Sequence, residues 1–199
     1  MGILDGITMH RIFICSILLT AASFNLYAAS KGLRFEAIVL PSSIEIPGPS
    51  AFANTPILLA LKITNTTDKD ILVDKFASII PNLRTVNGDL INTTQGQDGS
   101  YQPQGRDFIF LKPNRTIYML IDCTLCRDSD GKLQFQGETQ AGGFWRIERL
   151  PLKASKYFLS LVYWSEKRDF PSDIASYFYG KIPWYGKFET KPIAIELEN

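Results

Sequence analysis

Histidine is almost absent from this chain, which has a single one, His10, among its 199 residues. His10 precedes an apolar run that is typical of an export leader, so the mature chain would contain none. A protein without histidine cannot form a Ser-His-Asp or Cys-His catalytic pair, nor a histidine-ligated metal site. The sequence therefore predicts a non-catalytic protein, and it indicates neither a metal site nor a cofactor.

An excess of charge of either sign is also missing, since 21 lysines and arginines stand against 20 aspartates and glutamates. Such a balance gives no long-range attraction to nucleic acid or to an anionic membrane surface. Hydrophobic residues make up 45% of the chain, which is enough for one ordinary core. We therefore expect a single domain and no nucleic-acid partner.

A hydrophobic run of membrane-spanning length is not found either. The run from Ile12 to Ala22 falls well short of the roughly 20 residues that a span needs. With Arg11 before it and Leu26-Tyr27-Ala28-Ala29 after it, this run predicts a signal peptide over residues 1–28, cleaved near Ala28/Ala29, and a mature domain over residues 29–199. An uncleaved anchor is the alternative. Translation could start at Met1 or at Met9, and the leader predicts export without deciding between a periplasmic and a secreted protein.

Cysteine is scarce as well, because only Cys123 and Cys126 lie outside the predicted leader. Two cysteines in an exported chain favour a disulfide, although a bond that closes so short a loop stabilises little. A redox role would require a helix N-terminus or a neighbouring cation, and the pair instead precedes an aspartate-rich turn. We therefore predict either a structural disulfide between Cys123 and Cys126 or two idle thiols.

What the chain does contain is a series of short alternating segments. In Pro56 to Asn65, four aliphatic side chains recur at period two, which predicts a half-buried strand around which the fold is organised. A turn over Thr66 to Asp70 and a partner strand over Ile71 to Phe76 follow. The same pattern predicts further strands at Leu33 to Leu40, Ile44 to Ile46, Phe108 to Phe110, Ile117 to Ile121, Lys132 to Gln136, Phe144 to Arg149, Phe158 to Trp164 and Ile193 to Leu197.

The connections between these strands are short turns, apart from two long segments. Asn87-Gly88 and Asp130-Gly131 predict hairpin turns. Residues Asn92 to Arg106 predict a long polar surface loop, and the late loop Glu166 to Thr190 contains a candidate short helix at Ser172 to Gly180. This pattern predicts an all-β, antiparallel two-sheet sandwich with one short helix in a late loop, and a partly closed barrel is the alternative.

One local resemblance points to a particular kind of sandwich. The segment Leu152-Lys153-Ala154-Ser155-Lys156-Tyr157, which runs into Phe158 to Trp164, resembles the corner that opens a late strand in immunoglobulin-like and fibronectin type III domains. In those domains a tyrosine hydroxyl at this place bonds back to the upstream backbone. The resemblance implies an immunoglobulin-like β-sandwich, and by analogy of fold it suggests a binding or structural module.

Aromatic residues are concentrated near the C-terminus, between Tyr157 and Phe188. Some must form core, and those of the late loop either cover the core or form an exposed binding patch. We predict that the patch, if exposed, binds another exported or envelope protein. Its predicted site residues are Tyr179, Trp184 and Tyr185 as anchors, with Lys181 and Lys187 as rim charges.

Two further functions are left open by the sequence. The same aromatic rings could stack on sugar, which would make the protein a carbohydrate-binding module. A carboxylate-dependent hydrolase could recruit acidic residues such as Asp107, Glu138, Glu148 and Asp169, but no spacing selects two of them as a catalytic pair. The leading prediction remains a non-catalytic module for protein–protein interaction.

Overall fold

A computed structural model describes residues 29–30, 32–50, 53–96, 104–139, 143–150, 155–167, 178 and 183–199, with the backbone alone at residues 29, 30 and 149. This part of the chain is built of strands joined by turns, with one short 3-10 helix at Gly105–Asp107. It contains no helical segment with the length and apolar character of a membrane span. The strands are β1 (Ala29–Ser30), β2 (Leu33–Leu40), β3 (Ser43–Glu45), β4 (Asn54–Asn65), β5 (Ile71–Asp74), β6 (Ser78–Thr85), β7 (Leu90–Ile91), β8 (Thr93–Gly96), β9 (Phe108–Leu111), β10 (Thr116–Arg127), β11 (Leu133–Glu138), β12 (Phe144–Leu150), β13 (Ser155–Ser165), β14 (Gly186–Glu189) and β15 (Ile193–Glu198).

The larger sheet has seven strands in the order β1-β2-β4-β10-β11-β12-β8, and every pair in it is antiparallel. Strands β4 and β10 are the longest, with 12 residues each, and they lie side by side near the middle. The strand predicted from Pro56 to Asn65 is confirmed as this central element. Its alternation sends Ile57, Leu59 and Ile63 into the core and leaves the intervening side chains on the outer face.

The second sheet packs against the first across one shared hydrophobic core. Its strand order is β3-β15-β13-β6-β7, and β14 also pairs with β13. Tyr157, Leu159, Leu161 and Tyr163 of β13 point inward and are each at most 2% exposed. The pairing is antiparallel except for β3, which adds to the edge beside β15 in the parallel direction. Residues Ile44 to Ile46 were predicted to form a strand, and β3, Ser43–Glu45, overlaps them at the edge of this sheet.

Strand β5 was predicted to be the partner of β4, and this prediction is wrong. Strand β5 pairs with β9 in a separate two-stranded sheet. The cause is Asn65, which ends β4 fully buried and donates to the carbonyl oxygens of Lys69 and Leu111, both at 2.7 Å. These bonds turn the chain out of the large sheet and fix the end of β9 beside the turn.

Two strands occur in segments that were predicted to be loops. Strand β8 lies within the predicted loop Asn92 to Arg106 and pairs with β12 at the edge of the large sheet. Strand β14 lies within the predicted loop Glu166 to Thr190 and pairs with the end of β13. The candidate helix at Ser172 to Gly180 and the predicted signal peptide fall on residues outside those described, apart from Phe178.

The all-β sandwich of antiparallel sheets is therefore confirmed. The immunoglobulin-like type remains a prediction, because the corner that carries the resemblance begins in residues 151–154, which are not described. Within the described residues the Tyr157 hydroxyl is buried without a hydrogen-bond partner. The hydroxyl that does reach the backbone of another segment is that of Tyr163, which donates to the Asp74 carbonyl oxygen at 2.7 Å.

Candidate functional site

Trp184, predicted as an aromatic anchor, lies in the core of the sandwich. It is 7% exposed, and its ring centroid is 5.5 Å from that of Phe35 and 5.5 Å from that of Tyr163. Phe188, on β14, stacks on Phe35 with the ring centroids 4.4 Å apart. The Trp184 amide donates to the Leu72 carbonyl oxygen at 2.7 Å, which fixes the segment in place. The Trp184 ring therefore covers the core in this structure and is not presented as a surface anchor.

The other predicted anchor and rim residues are distributed differently. Tyr185 is 38% exposed, next to the buried Trp184. Lys187 lies on β14 with its Nζ 5.7 Å from the ring centroid of Trp164, which is 44% exposed on the paired strand β13. This cation–π contact holds the lysine against an aromatic ring that the sequence did not assign to the site. Tyr179 and Lys181 lie outside the described residues.

The predicted disulfide between Cys123 and Cys126 is absent, and both residues are free cysteines. Strand β10 continues through both of them instead of ending before them. Residues three apart on a strand point to opposite faces with their Cα atoms about 10 Å apart, whereas a disulfide needs roughly 4.4–6.8 Å. Cys123 faces the core, and its thiol donates to the Ile57 carbonyl oxygen at 3.1 Å. Cys126 faces outward and accepts a hydrogen bond from Gln134 Nε2 at 3.3 Å.

The two thiols are expected to react at very different rates. Burial raises the pKa of Cys123 to about 12, so almost no thiolate forms near neutral pH, whereas Cys126 is only half-buried. Iodoacetamide followed by peptide mapping should label Cys126 in the folded protein and Cys123 only after unfolding. A reductant should leave Tm unchanged, and a peptide in which Cys123 is joined to Cys126 would contradict the structure.

The outer face of the large sheet carries a concentration of exposed apolar side chains. Four of them lie on this face: Leu40 (57% exposed), Tyr118 (58%), Leu120 (55%) and Phe144 (48%). The register places Leu40 beside Leu58, so the apolar surface extends across β2, β4 and β10. Apolar surface that continues over several strands marks an interaction site more often than isolated exposed leucines do.

A trough of about 810 Å³ lies on the same face. One cross-strand row of side chains runs through it, on β2, β4, β10, β11 and β12 in turn. We call it the acidic row, and its members are Leu40, Leu58, Asp122, Glu138 and Phe144. The pairing of Cys123 with Gly137 brings Asp122 and Glu138 to the same step of the ladder. With neighbouring strands about 4.8 Å apart, the row spans about 19 Å.

Phe144 forms the far wall of the trough because Gly96 leaves room for its ring. A side chain at Gly96, on the paired strand β8, would collide with that ring. The guanidinium carbon of Arg146 lies 6.0 Å from the Phe144 ring centroid, and Arg146 Nη1 lies 3.8 Å from a carboxylate oxygen of Glu148. The trough therefore has an apolar wall at each end and carboxylates in the middle.

Most charges on this face are paired with a neighbour. Lys62 Nζ lies 2.9 Å from a Glu36 carboxylate oxygen, and Arg34 Nε lies 3.4 Å from the same oxygen. The hydrogen bond from Lys62 holds the pKa of Glu36 below its usual value. Within the described residues, Asp122 and Glu138 form no ion pair. Two carboxylates thus face each other in the acidic row without a counter-ion from the described chain.

The carboxylates considered for hydrolysis do not assemble into one group. Glu138 lies in the trough, Glu148 contacts Arg146, and Asp107 accepts from the Gln104 amide at 2.6 Å in the 3-10 helix. Asp169 lies outside the described residues. Across the described ranges no three histidine, cysteine, aspartate or glutamate side chains cluster so that they could hold a metal ion.

Comparison with models of known protein families, with curated proteins and with solved structures finds no match to this chain.

Proposed function

We propose that the protein is an exported, non-catalytic module that binds another exported or envelope protein through the outer face of its large sheet. The observation that carries this proposal is the continuous apolar surface of Leu40, Leu58, Leu120 and Tyr118, bordered by the trough. Exposed apolar area loses its contact with water when a partner covers it, which supplies the driving force for association.

This proposal places the binding surface on the large sheet instead of the aromatic segment Glu166 to Thr190. Trp184, a predicted binding residue of this segment, is part of the core, because it is buried against Phe35 and Tyr163. Among its described aromatic residues only Tyr185 is exposed, and its Lys187 lies against the exposed Trp164 ring of the paired strand β13. Leu40, Tyr118, Leu120 and Phe144 of the sheet face are each more exposed than Tyr185. They also lie on strands, which hold their side chains in fixed positions.

The test is a cross-linked pull-down from the native envelope or medium with three forms of the protein. The native chain should capture a partner, the Leu40→Ser, Tyr118→Ser variant should lose it, and Tyr185→Ala should retain it. Both altered leucine and tyrosine side chains are more than half exposed, so the variant should fold, as circular dichroism and Tm would verify. Loss with Tyr185→Ala but not with the sheet variant would move the surface back to the aromatic segment.

A saccharide ligand is the second candidate, and Phe144 favours it. The ring is 48% exposed and stands in the trough beside the carboxylates of Asp122 and Glu138. The ring can stack on a sugar, and the carboxylates can accept hydrogen bonds from its hydroxyl groups. A panel of soluble saccharides should then raise Tm of the native protein and have no effect on Phe144→Ala. If no saccharide in the panel changes Tm, the carbohydrate candidate is rejected.

A further inference from the structure

The acidic row contains two neighbouring carboxylates that have no counter-ion among the described residues. Its two carboxylates, Asp122 and Glu138, stand at the same ladder step of adjacent strands, and like charges in that arrangement repel each other. Both side chains are exposed, and neither is in an ion pair with a described residue. The sheet therefore carries a local electrostatic cost that a positive charge between them would remove.

The nearby cation does not neutralise them. Arg146 lines the same trough, but its guanidinium lies over Phe144 and within 3.8 Å of Glu148. The other cations that the described residues place on this face, Arg34 and Lys62, are both engaged by Glu36. The positive charge that fits between Asp122 and Glu138 must come from outside the described chain.

The side chains around the carboxylates indicate which other groups the partner must carry. On one side stand Leu40 and Leu58, and on the other stands Phe144, all within the same row. A group that reaches all of them must carry a cation in the middle and apolar side chains to both sides, over about 19 Å. A protein segment with a lysine or arginine flanked by apolar residues has this chemistry.

We propose that the acidic row docks a partner protein through a lysine or arginine side chain that lies between Asp122 and Glu138, with apolar partner side chains on Leu40, Leu58 and Phe144. This inference rests on the proposed function and specifies the partner that the sheet face selects. The cation neutralises the paired carboxylates, and the apolar contacts supply most of the buried area.

The probe is a phage-displayed library of random twelve-residue peptides, selected against the full-length protein. Enriched peptides should contain lysine or arginine flanked by apolar residues. For synthetic copies of these peptides, fluorescence anisotropy should show affinity reduced about tenfold or more by Asp122→Asn, Glu138→Gln. The affinity of the native protein should also weaken as salt is raised, and the affinity of the variant should change little. Glu198→Gln, which removes an exposed carboxylate from the second sheet, is the matched control and should bind like the native chain.

Stability provides a second measurement that a purely structural role would not reproduce. Because Asp122→Asn, Glu138→Gln removes a repulsion, this variant should have an equal or higher Tm while its peptide binding falls. A lower Tm would overturn the premise that the two carboxylates are uncompensated.

The outcomes separate the two proposals. Some selected peptides could lose binding to Leu40→Ser but bind Asp122→Asn, Glu138→Gln as tightly as the native chain. This result would overturn the proposal that a partner cation lies between Asp122 and Glu138, and it would leave the sheet face as the binding surface. Selected peptides that are all insensitive to Leu40→Ser, or a selection that yields no binder, would count against the sheet face itself and so against both proposals.

Discussion

Replacing Trp184 with alanine is expected to lower the free energy of unfolding by about 3–5 kcal/mol, the range typical of a large aromatic removed from a core. The ring is 7% exposed and lies between Phe35 and Tyr163, with Phe188 stacked on Phe35 beside it. Its removal would leave a cavity where the end of β2 meets β13 and β14. Urea denaturation monitored by circular dichroism would measure the loss.

Tyr185→Ala is the matched control, because it changes the neighbouring aromatic residue, which is 38% exposed. We expect it to change the free energy of unfolding by about 1 kcal/mol or less. If Trp184→Ala were as stable as Tyr185→Ala, the assignment of Trp184 to the core would be wrong. If a Trp184→Ala variant failed to bind a partner, the cause could therefore be its unfolding as well as the loss of a contact between Trp184 and that partner.

A strand whose two faces differ in polarity is the easiest to predict from the sequence. Strand β2 was predicted with its observed bounds, Leu33 to Leu40, because the polar Arg34 and Glu36 alternate with the inward-facing Leu33 and Phe35. Strand β8, Thr93–Gly96, has no such alternation, since its residues are polar or glycine. Its order comes from the ladder with β12 at the sheet edge, and a partner so distant in sequence leaves no local signal.

Of the two alternatives predicted for the cysteines, the disulfide is not found, and both thiols are unpaired. The sequence predicts that the cysteine pair lies where a strand ends and an aspartate-rich turn begins. Strand β10 instead continues to Arg127, held between β4 and β11 on its two sides. Once the strand is continuous, its period of two sends Cys123 inward and Cys126 outward, and no disulfide can join them.

The candidate site could not be predicted, because it exists only across strands. Leu40 lies in a predicted strand, but Asp122 and Glu138 lie just beyond the predicted strands that end at Ile121 and Gln136. Nothing local shows that the three side chains share one row. That row depends on the register of β2 with β4, of β4 with β10 and of β10 with β11. Each register is fixed by the buried side chains of the opposite face, since a slip by one residue would turn those side chains toward water.

Asn65→Asp is expected to destabilise the protein by about 3–5 kcal/mol at neutral pH, although it changes a single side-chain atom. The Asn65 amide group donates to the carbonyl oxygens of Lys69 and Leu111, and its side-chain oxygen accepts from the Thr67 amide and hydroxyl. The side chain is fully buried. An aspartate would place a carboxylate oxygen against two carbonyl oxygens, with no donor left for either of them.

The stability lost by Asn65→Asp should depend on pH, and the burial of the side chain fixes the direction of that dependence. Desolvation and the two facing carbonyls would raise the pKa of the introduced carboxyl above its value in the unfolded chain, about 3.9. A raised carboxyl pKa in the folded state means that the variant is closest to native stability below pH ~4 and becomes less stable as pH rises through the folded-state pKa. Urea denaturation of both proteins at several pH values would measure this difference.

Asn92→Asp provides the comparison, because Asn92 is an exposed residue between β7 and β8 and also belongs to an Asn-x-Ser/Thr sequence. Its variant should remain close to native stability at each pH. Equal stabilities of the Asn65 and Asn92 variants would show that the Asn65 side chain does not hold the turn. A large loss confined to Asn65 would show that its hydrogen bonds to Lys69 and Leu111 hold the turn between β4 and β5 and the end of β9.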